Sequence, residues 1–369
     1  MKLRTVTFAI AGIALFASAT PALASTTMIR LGYARCSACH LAPQGAGLLT
    51  DYGKGIDIAQ SLRVKEYQPP DPGRAQAMRY DLRLLTSGYQ IDAPDSPRPS
   101  PPSWLRTYLR GSAAMNAHNR IAGTVIVEAP AGGPSRTWET RPNVELLGGY
   151  EYRANDHFTL AVVRDRMPRG VELGETRTVL QEAEPDRYPA QVRAFLSTNR
   201  FHVTAYGFAP GSEPARDREA RGGGVLGEVL MFSNHIALGA SARHTTELTM
   251  QRQTFGGYAR MGFGKWGILA EHEVTTRTER ATSLSKPQRY AGYTQVFYAP
   301  VEWLVTSVIG EQTNDPMATN RHTFRWRPEV QARLTDFITI TASARTDMAR
   351  GINGSGRMYL VQIAMKTVQ

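Results

Sequence analysis

Thr323-Phe324-Arg325-Trp326-Arg327-Pro328-Glu329-Val330-Gln331-Ala332-Arg333-Leu334 sorts at every second residue into two faces. Phe324, Trp326, Val330, Ala332 and Leu334 share one; Arg325, Arg327, Glu329, Gln331 and Arg333 share the other. Period two is the spacing of a β-strand, whose side chains point alternately to opposite sides. The same split recurs in Arg79–Leu85, where Tyr80, Leu82 and Leu84 oppose Arg79, Asp81 and Arg83. It returns near the end, where Tyr359, Val361, Ile363 and Met365 oppose Gln362, Ala364 and Lys366. A soluble sandwich also alternates, so the period alone does not say which face meets water.

Segment length and loop rhythm discriminate further. Alternating segments run from residue 78 to residue 368, most of them nine to thirteen residues long, the length of a tilted membrane strand rather than of a soluble one. Tight turns are expected at Arg153–Asp156, Ser197–Arg200, Ser233–His235, Lys265-Trp266, Pro300-Val301 and Thr335-Asp336. Between them fall long polar or Pro-rich loops, Asp92–Ser103, Gly211–Gly222, Thr278–Pro287 and Thr313–Arg321. Short turns at one end and long loops at the other are the asymmetry of an outer-membrane barrel. Without Ala190–Ser197 the strand count is fifteen, which breaks the rhythm; an even count makes that segment a strand. The expected fold is therefore all-β, a transmembrane antiparallel β-barrel of about 16 strands over residues 78–369, with fourteen and eighteen as the alternatives. A soluble β-sandwich or propeller is the competing architecture.

If the barrel forms, aromatic residues near strand ends (Tyr150, Tyr152, Tyr298, Trp303, Trp326, Phe337) suit interfacial girdles. The polar parity carries Arg83, Arg106, Arg110, Arg193, Arg243, Arg325, Arg327 and Arg333 with Asp81, Glu145, Glu151, Glu271, Glu273 and Glu329, which would line an aqueous lumen. His244, His272 and His322 fall on the apolar parity and His202 on the polar one.

The 369-residue chain is 42% hydrophobic and carries a net charge of +11; only six of its 43 basic residues are lysine. Beyond the first two dozen residues no apolar run reaches the ~18 residues of a membrane helix. Residues 1–24 have the order of a secretory leader: Lys2 and Arg4, the apolar stretch Thr5–Ala19, then Pro21-Ala22-Leu23-Ala24, with cleavage expected before Ser25. An exported basic chain does not ordinarily meet chromosomal DNA, so the arginines do not argue for a nucleic-acid partner.

Both cysteines lie in Cys36-Ser37-Ala38-Cys39-His40. Two thiols at this spacing can each form a thioether to a haem vinyl group, and the histidine that follows is then placed to bind the iron axially. A thioredoxin-type redox pair needs a βαβ context, and zinc needs further Cys or His nearby; the next histidine is His118. One covalently attached haem c, held by Cys36, Cys39 and His40, is the expected cofactor. For the distal position Met28 and Met78 flank the motif and His202 lies further off; an open sixth position is the other option. The Gly-rich run Leu41–Gly55 suits close approach of backbone to a flat ligand. Residues 25–77 are little material to enclose a haem unaided, so this segment is expected to lean on the barrel as a plug.

With its leader, the Cys36–His40 motif soon after it, a Gly-rich segment ending Tyr52-Gly53 and a barrel-like remainder, the chain resembles the fused monohaem cytochrome–porins of the bacterial outer membrane, the family that includes the outer-membrane iron oxidases. The resemblance implies a haem-bearing plug inside a porin, passing electrons between an extracellular donor or acceptor, such as iron, and periplasmic cytochromes or other carriers. Cys36, Cys39 and His40 are the residues it carries over. No acid, base or nucleophile is needed, because haem iron does the one-electron chemistry. The alternatives are a passive diffusion porin with a haem-bearing plug or sensor and a soluble periplasmic β-rich haem protein.

Overall fold

A computed structural model describes residues 26–33, 39–40, 48–59, 61–62, 78–92, 103–130, 143–171, 179–182, 188–210, 220–316, 322–335, 337–350 and 355–366. Sixteen strands follow one another: β1 (Met78–Asp92), β2 (Ser103–Ala114), β3 (Asn119–Pro130), β4 (Asn143–Arg153), β5 (Phe158–Arg164), β6 (Ala190–Ser197), β7 (Phe201–Ala209), β8 (Arg221–Met231), β9 (Ile236–Thr246), β10 (Met250–Phe263), β11 (Trp266–Glu279), β12 (Ser285–Val301), β13 (Leu304–Asn314), β14 (His322–Arg333), β15 (Ile338–Arg350) and β16 (Ser355–Lys366). Each pairs antiparallel with the next, and β1 pairs with β16 from Arg83↔Lys366 to Asp92↔Arg357, closing the barrel. Closure leaves no edge strand with unpaired backbone groups. Ala190–Ser197 is the sixth strand, as the even count requires.

Seven hairpins turn at one end within two to four residues, at 115–118, 154–157, 198–200, 232–235, 264–265, 302–303 and 334–337. The other end holds the longer connections, except that β15 and β16 are joined by 351–354 alone and two others are short as well. β9 and β10 are joined by 247–249 alone, and the expected loop Thr278–Pro287 shrinks to 280–284 because β12 begins at Ser285. β12 tolerates Pro287 through a register shift: Thr275 faces Arg289 while Arg277 faces Lys286, so the residue without an N–H sits where the ladder is already interrupted.

The two faces of the wall differ as the parity requires. Along β11, Leu269, Glu271, Glu273, Thr275 and Arg277 are buried, while Trp266, Ile268 and Val274 are exposed. The outward face elsewhere is apolar and uncovered, as at Leu109, Ile121, Val144, Leu146, Val162, Val192, Val229 and Phe255, which is how a wall built to meet lipid is made. Exposed Tyr150, Tyr152, Trp266, Trp326 and Phe337 fit the girdles. Trp303 does not: only 4% of it is exposed.

The described parts of the connection between β5 and β6, residues 165–171, 179–182 and 188–189, turn into the lumen and touch three walls. Met167 packs with Tyr206 and Phe208, and Val171, Val179 and Leu180 join a cluster with Tyr258, Leu269, Tyr293 and Ile309. Tyr188 meets Leu85, Tyr108 and Ile126. Each such fully buried apolar side chain is worth ~1.5–3 kcal/mol. Polar contacts fix the path: Glu271 accepts from Gly170 N and Val171 N at 3.2 and 3.3 Å, Tyr293 Oη donates to Val171 O at 3.0 Å, and Arg169 donates to Leu180 O at 2.7 Å.

Candidate functional site: the short-turn mouth

The N-terminal segment enters the barrel at its short-turn end. A 3₁₀ turn, Thr26–Leu31, buries Met28, Ile29 and Arg30; Ile29 lies in the same apolar cluster as Leu230, Ala237 and Phe297. Arg30 Nη1 donates to Gly264 O at 3.0 Å in the β10–β11 turn. This fit needs a glycine at 262, because a Cβ there would come within 2.7 Å of Arg30 backbone. Burial pulls the Arg30 guanidinium below its ordinary value, and Glu302 opposes that shift.

The second anchor is a short helix, α1 (Asp51–Ile58), against the rim at the end of β14, about a quarter of the way round the barrel. Its N-cap is Thr50, whose Oγ1 accepts from Gly53 N at 2.9 Å. Asp57 Oδ1 meets Arg333 Nη1 at 2.6 Å, and Leu62 N donates to Arg333 O at 3.1 Å. Arg333 is the last lumenal residue of β14, and its own N–H donates to Trp303 O at 2.9 Å. Trp303 shares the buried parity of Val305 and is itself buried instead of facing lipid.

α1 holds the motif. Thr50 N donates to Cys39 O at 2.9 Å, and His40 pairs with Leu49 in an isolated antiparallel bridge. Helix and motif touch backbone to backbone through Gly53, where a Cβ would stand 2.0 Å from Cys39 O. Cys39 is buried and His40 half-buried. Tyr52 Oη donates to Tyr33 Oη at 2.7 Å, tying α1 to the chain that follows the 3₁₀ turn. That bond, with help from burial and the neighbouring Tyr33 and Cys39, pushes the Tyr52 hydroxyl up to about 12.

The sequence-derived residues thus gather at one end. Cys39, His40 and Met28 belong to the docked segment, and Met78 opens β1 at the same end, its side chain outside the described set. Cys36 lies outside the described residues. His202, second in β7, faces the lumen near this mouth; its Nδ1 is 3.0 Å from Glu228 Oε1, and Glu228 is held by Arg260 Nη2 at 2.5 and 2.7 Å. His202 Nε2 is buried without a hydrogen-bond partner among the described residues. An imidazole whose other nitrogen is fixed by a carboxylate is oriented as ligating histidines are. The residues missed from sequence are Arg30, Asp57 and the inward Trp303. Arg333 was legible as lumenal, but its docking partner was not.

Of the arginines expected in the lumen, Arg193, Arg327 and Arg333 are buried there; the side chains of Arg83 and Asp81 lie outside the described set. Five of the eight stand near carboxylates: Arg193 with Asp165 at 3.2 Å, Arg243 with Glu273 at 3.8 Å, Arg325 with Asp347 at 3.6 Å, Arg327 with Glu329 at 3.9 Å and Arg333 with Asp57 at 2.6 Å. Among the described residues no group of three His, Cys, Asp or Glu is gathered to hold a bare metal ion.

No protein-family model matches this chain, and no curated protein does. Solved structures do. OmpT, an outer membrane protein of Vibrio cholerae, in a form lacking loop L8, superposes with a TM-score of 0.59 at 10% identity over 79% of this chain and 100% of its own. OmpF of Salmonella typhi in complex with daunomycin gives 0.57 at 7% over 79% and 97%. An anion-selective porin from Comamonas acidovorans gives 0.57 at 8% over 79% and 100%. The chain has the porin fold. At these identities the likeness extends to the fold alone, and the docked N-terminal segment must be read from its own residues.

Of the residues a covalently attached haem c would use, Cys39 and His40 are described, and both stand at the barrel mouth. The second cysteine and its histidine are held side by side at the rim, and the backbone around them is kept close by a glycine no other residue can replace without displacing Cys39.

Proposed function

We propose that this chain is an outer-membrane porin-like barrel whose periplasmic, short-turn mouth is stoppered by a monohaem c segment, and that it carries electrons between extracellular donors or acceptors and periplasmic carriers. The observation that carries the reading is the docking of Cys39 and His40 on α1, pinned at the rim by Asp57 and Arg333. Cys36 and Cys39 would hold the haem by thioethers and His40 would bind its iron; when bound, the group supplies reversible one-electron chemistry. The chain's own residues do the rest. Ile29 and Trp303 supply buried apolar surface at the mouth, the Asp57–Arg333 pair fixes the segment, and the apolar outer wall sets the protein in lipid.

Membrane fractionation with haem staining and a reduced-minus-oxidised spectrum tests the first half: a haem-stained outer-membrane band is expected, and a haem-free or freely soluble product overturns it. The second half is tested in proteoliposomes with an electron acceptor trapped inside, which an external reductant should reduce. The lumen with its charged wall and inward connection favours one further reading, a diffusion porin with a haem-bearing plug. Leakage of small solutes without reduction of the trapped acceptor would decide for it.

A further inference from the structure

Arg327 lies midway along β14 on the lumenal face, opposite Ile309 of β13. Ile309 belongs to the cluster that receives Val179 and Leu180, so Arg327 borders the level at which those two residues enter the lumen. Its side chain is 3% exposed, and Nε and Nη2 are both buried without a hydrogen-bond partner among the described residues. Its one ion pair there is with Glu329 Oε2 at 3.9 Å from Nε, beyond hydrogen-bond reach. Neighbouring carboxylates are engaged elsewhere: Arg345 grips Asp347 through two bonds of 2.6 and 2.5 Å, and Arg325 stands 3.6 Å from Asp347 and 3.8 Å from Glu311.

Nε–H and Nη2–H of a guanidinium point the same way and form a fork that matches the two oxygens of a carboxylate or phosphate. At Arg327 that fork is intact and unused, and buried donors left unmade are unfavourable. We propose that Arg327 is an oxyanion-binding position in the lumen, taking a carboxylate or phosphate bidentately on Nε and Nη2. The oxyanion has two sources: a solute in the lumen, or a propionate of the haem. The proposal rests on the lumenal barrel common to both functional readings and does not depend on the haem.

The test uses the full chain in detergent, with inorganic phosphate titrated against chloride at constant ionic strength. The readout is the temperature at which the folded barrel converts to the unfolded form on a gel, which a ligand of the folded state raises. The Cys36→Ser, Cys39→Ser chain, whose site is free under either source, should show a saturable rise, adding Arg327→Gln should abolish it, and adding Arg327→Lys, which keeps charge but not the fork, should weaken apparent affinity at least tenfold. Running the titration also on the wild type separates the sources. A rise in both forms assigns a solute, and a rise confined to the haem-free form assigns the propionate. No rise in the haem-free form, or an equal rise there with and without Arg327→Gln or Arg327→Lys, overturns the proposal. Haem staining of the same samples reads the haem hypothesis separately, and if Arg327→Gln does not fold, the Arg327→Lys comparison decides.

Discussion

Gly53 has no side chain because Cys39 O occupies the place a Cβ would take. That contact brings Tyr52 to the surface of the motif, 52% exposed and bonded to Tyr33, with ring centroids 6.1 Å apart. The bond exists only while Tyr52 keeps its proton, so the folded protein holds that proton more tightly than the unfolded chain. The sign follows: the contribution is fully present below the usual tyrosine value near 10 and is lost as pH rises through about 12. Ultraviolet titration, with Tyr52→Phe subtracted to isolate the group, should show one tyrosine ionising near 12 in the wild type and near its ordinary value in Tyr33→Phe. If Tyr33→Phe leaves that late ionisation in place, the tie between helix and entry segment is not the bond described.

Among the elements, the strands were legible and the inserted pieces were not, for separable reasons. A barrel wall shows two solvents to alternate residues, so β14 or β16 carries its period whatever its neighbours do. Residues 165–189 have no such period. Met167, Val171, Val179, Leu180 and Tyr188 are apolar because three different walls receive them, and that information lies on β1–β3, β7 and β10–β13. α1 was hidden by Gly53 and Gly55, poor helix formers that cost ~1 kcal/mol each relative to alanine; the Thr50 cap and the Asp57–Arg333 pair sustain it. Trp303 misled because an aromatic at a strand end suits a girdle equally well. The inward connection makes its own prediction. Glu271 is the acceptor for two successive backbone N–H groups, and each buried donor left unsatisfied costs ~1–3 kcal/mol. Glu271→Ala should loosen the connection and enlarge single-channel conductance in planar bilayers, with the barrel still heat-modifiable on gels. Unchanged conductance would mean that the apolar contacts alone hold it.

At the scale of the whole molecule, the N-terminal segment is tied to two separate stretches of one rim. The 3₁₀ turn is fixed on the β10–β11 turn and α1 on the end of β14, four strands round the barrel, an arc of about 20 Å at the usual strand spacing of ~4.8 Å. If both anchors are needed, loss of either should undock the segment from the rim. Asp57 is the weaker link because its partner is so deeply set: Arg333 is 1% exposed, and depriving a buried ion of its counter-charge typically costs ~3–5 kcal/mol. Since each 1.4 kcal/mol is tenfold in an equilibrium, even a third of that loss raises the undocked population about tenfold. Asp57→Asn should therefore be cut by trypsin within the N-terminal segment, where Lys54 and Lys65 lie, at least tenfold faster than the wild type, while the barrel band survives at the same temperature. Cleavage tracks the open population only while reclosing outpaces the protease, so the rates are compared at low enzyme concentration. Equal rates would show that the 3₁₀ anchor at Arg30 and Gly262 closes the mouth alone, and a fall in barrel stability would show that Asp57 supports the wall rather than the plug.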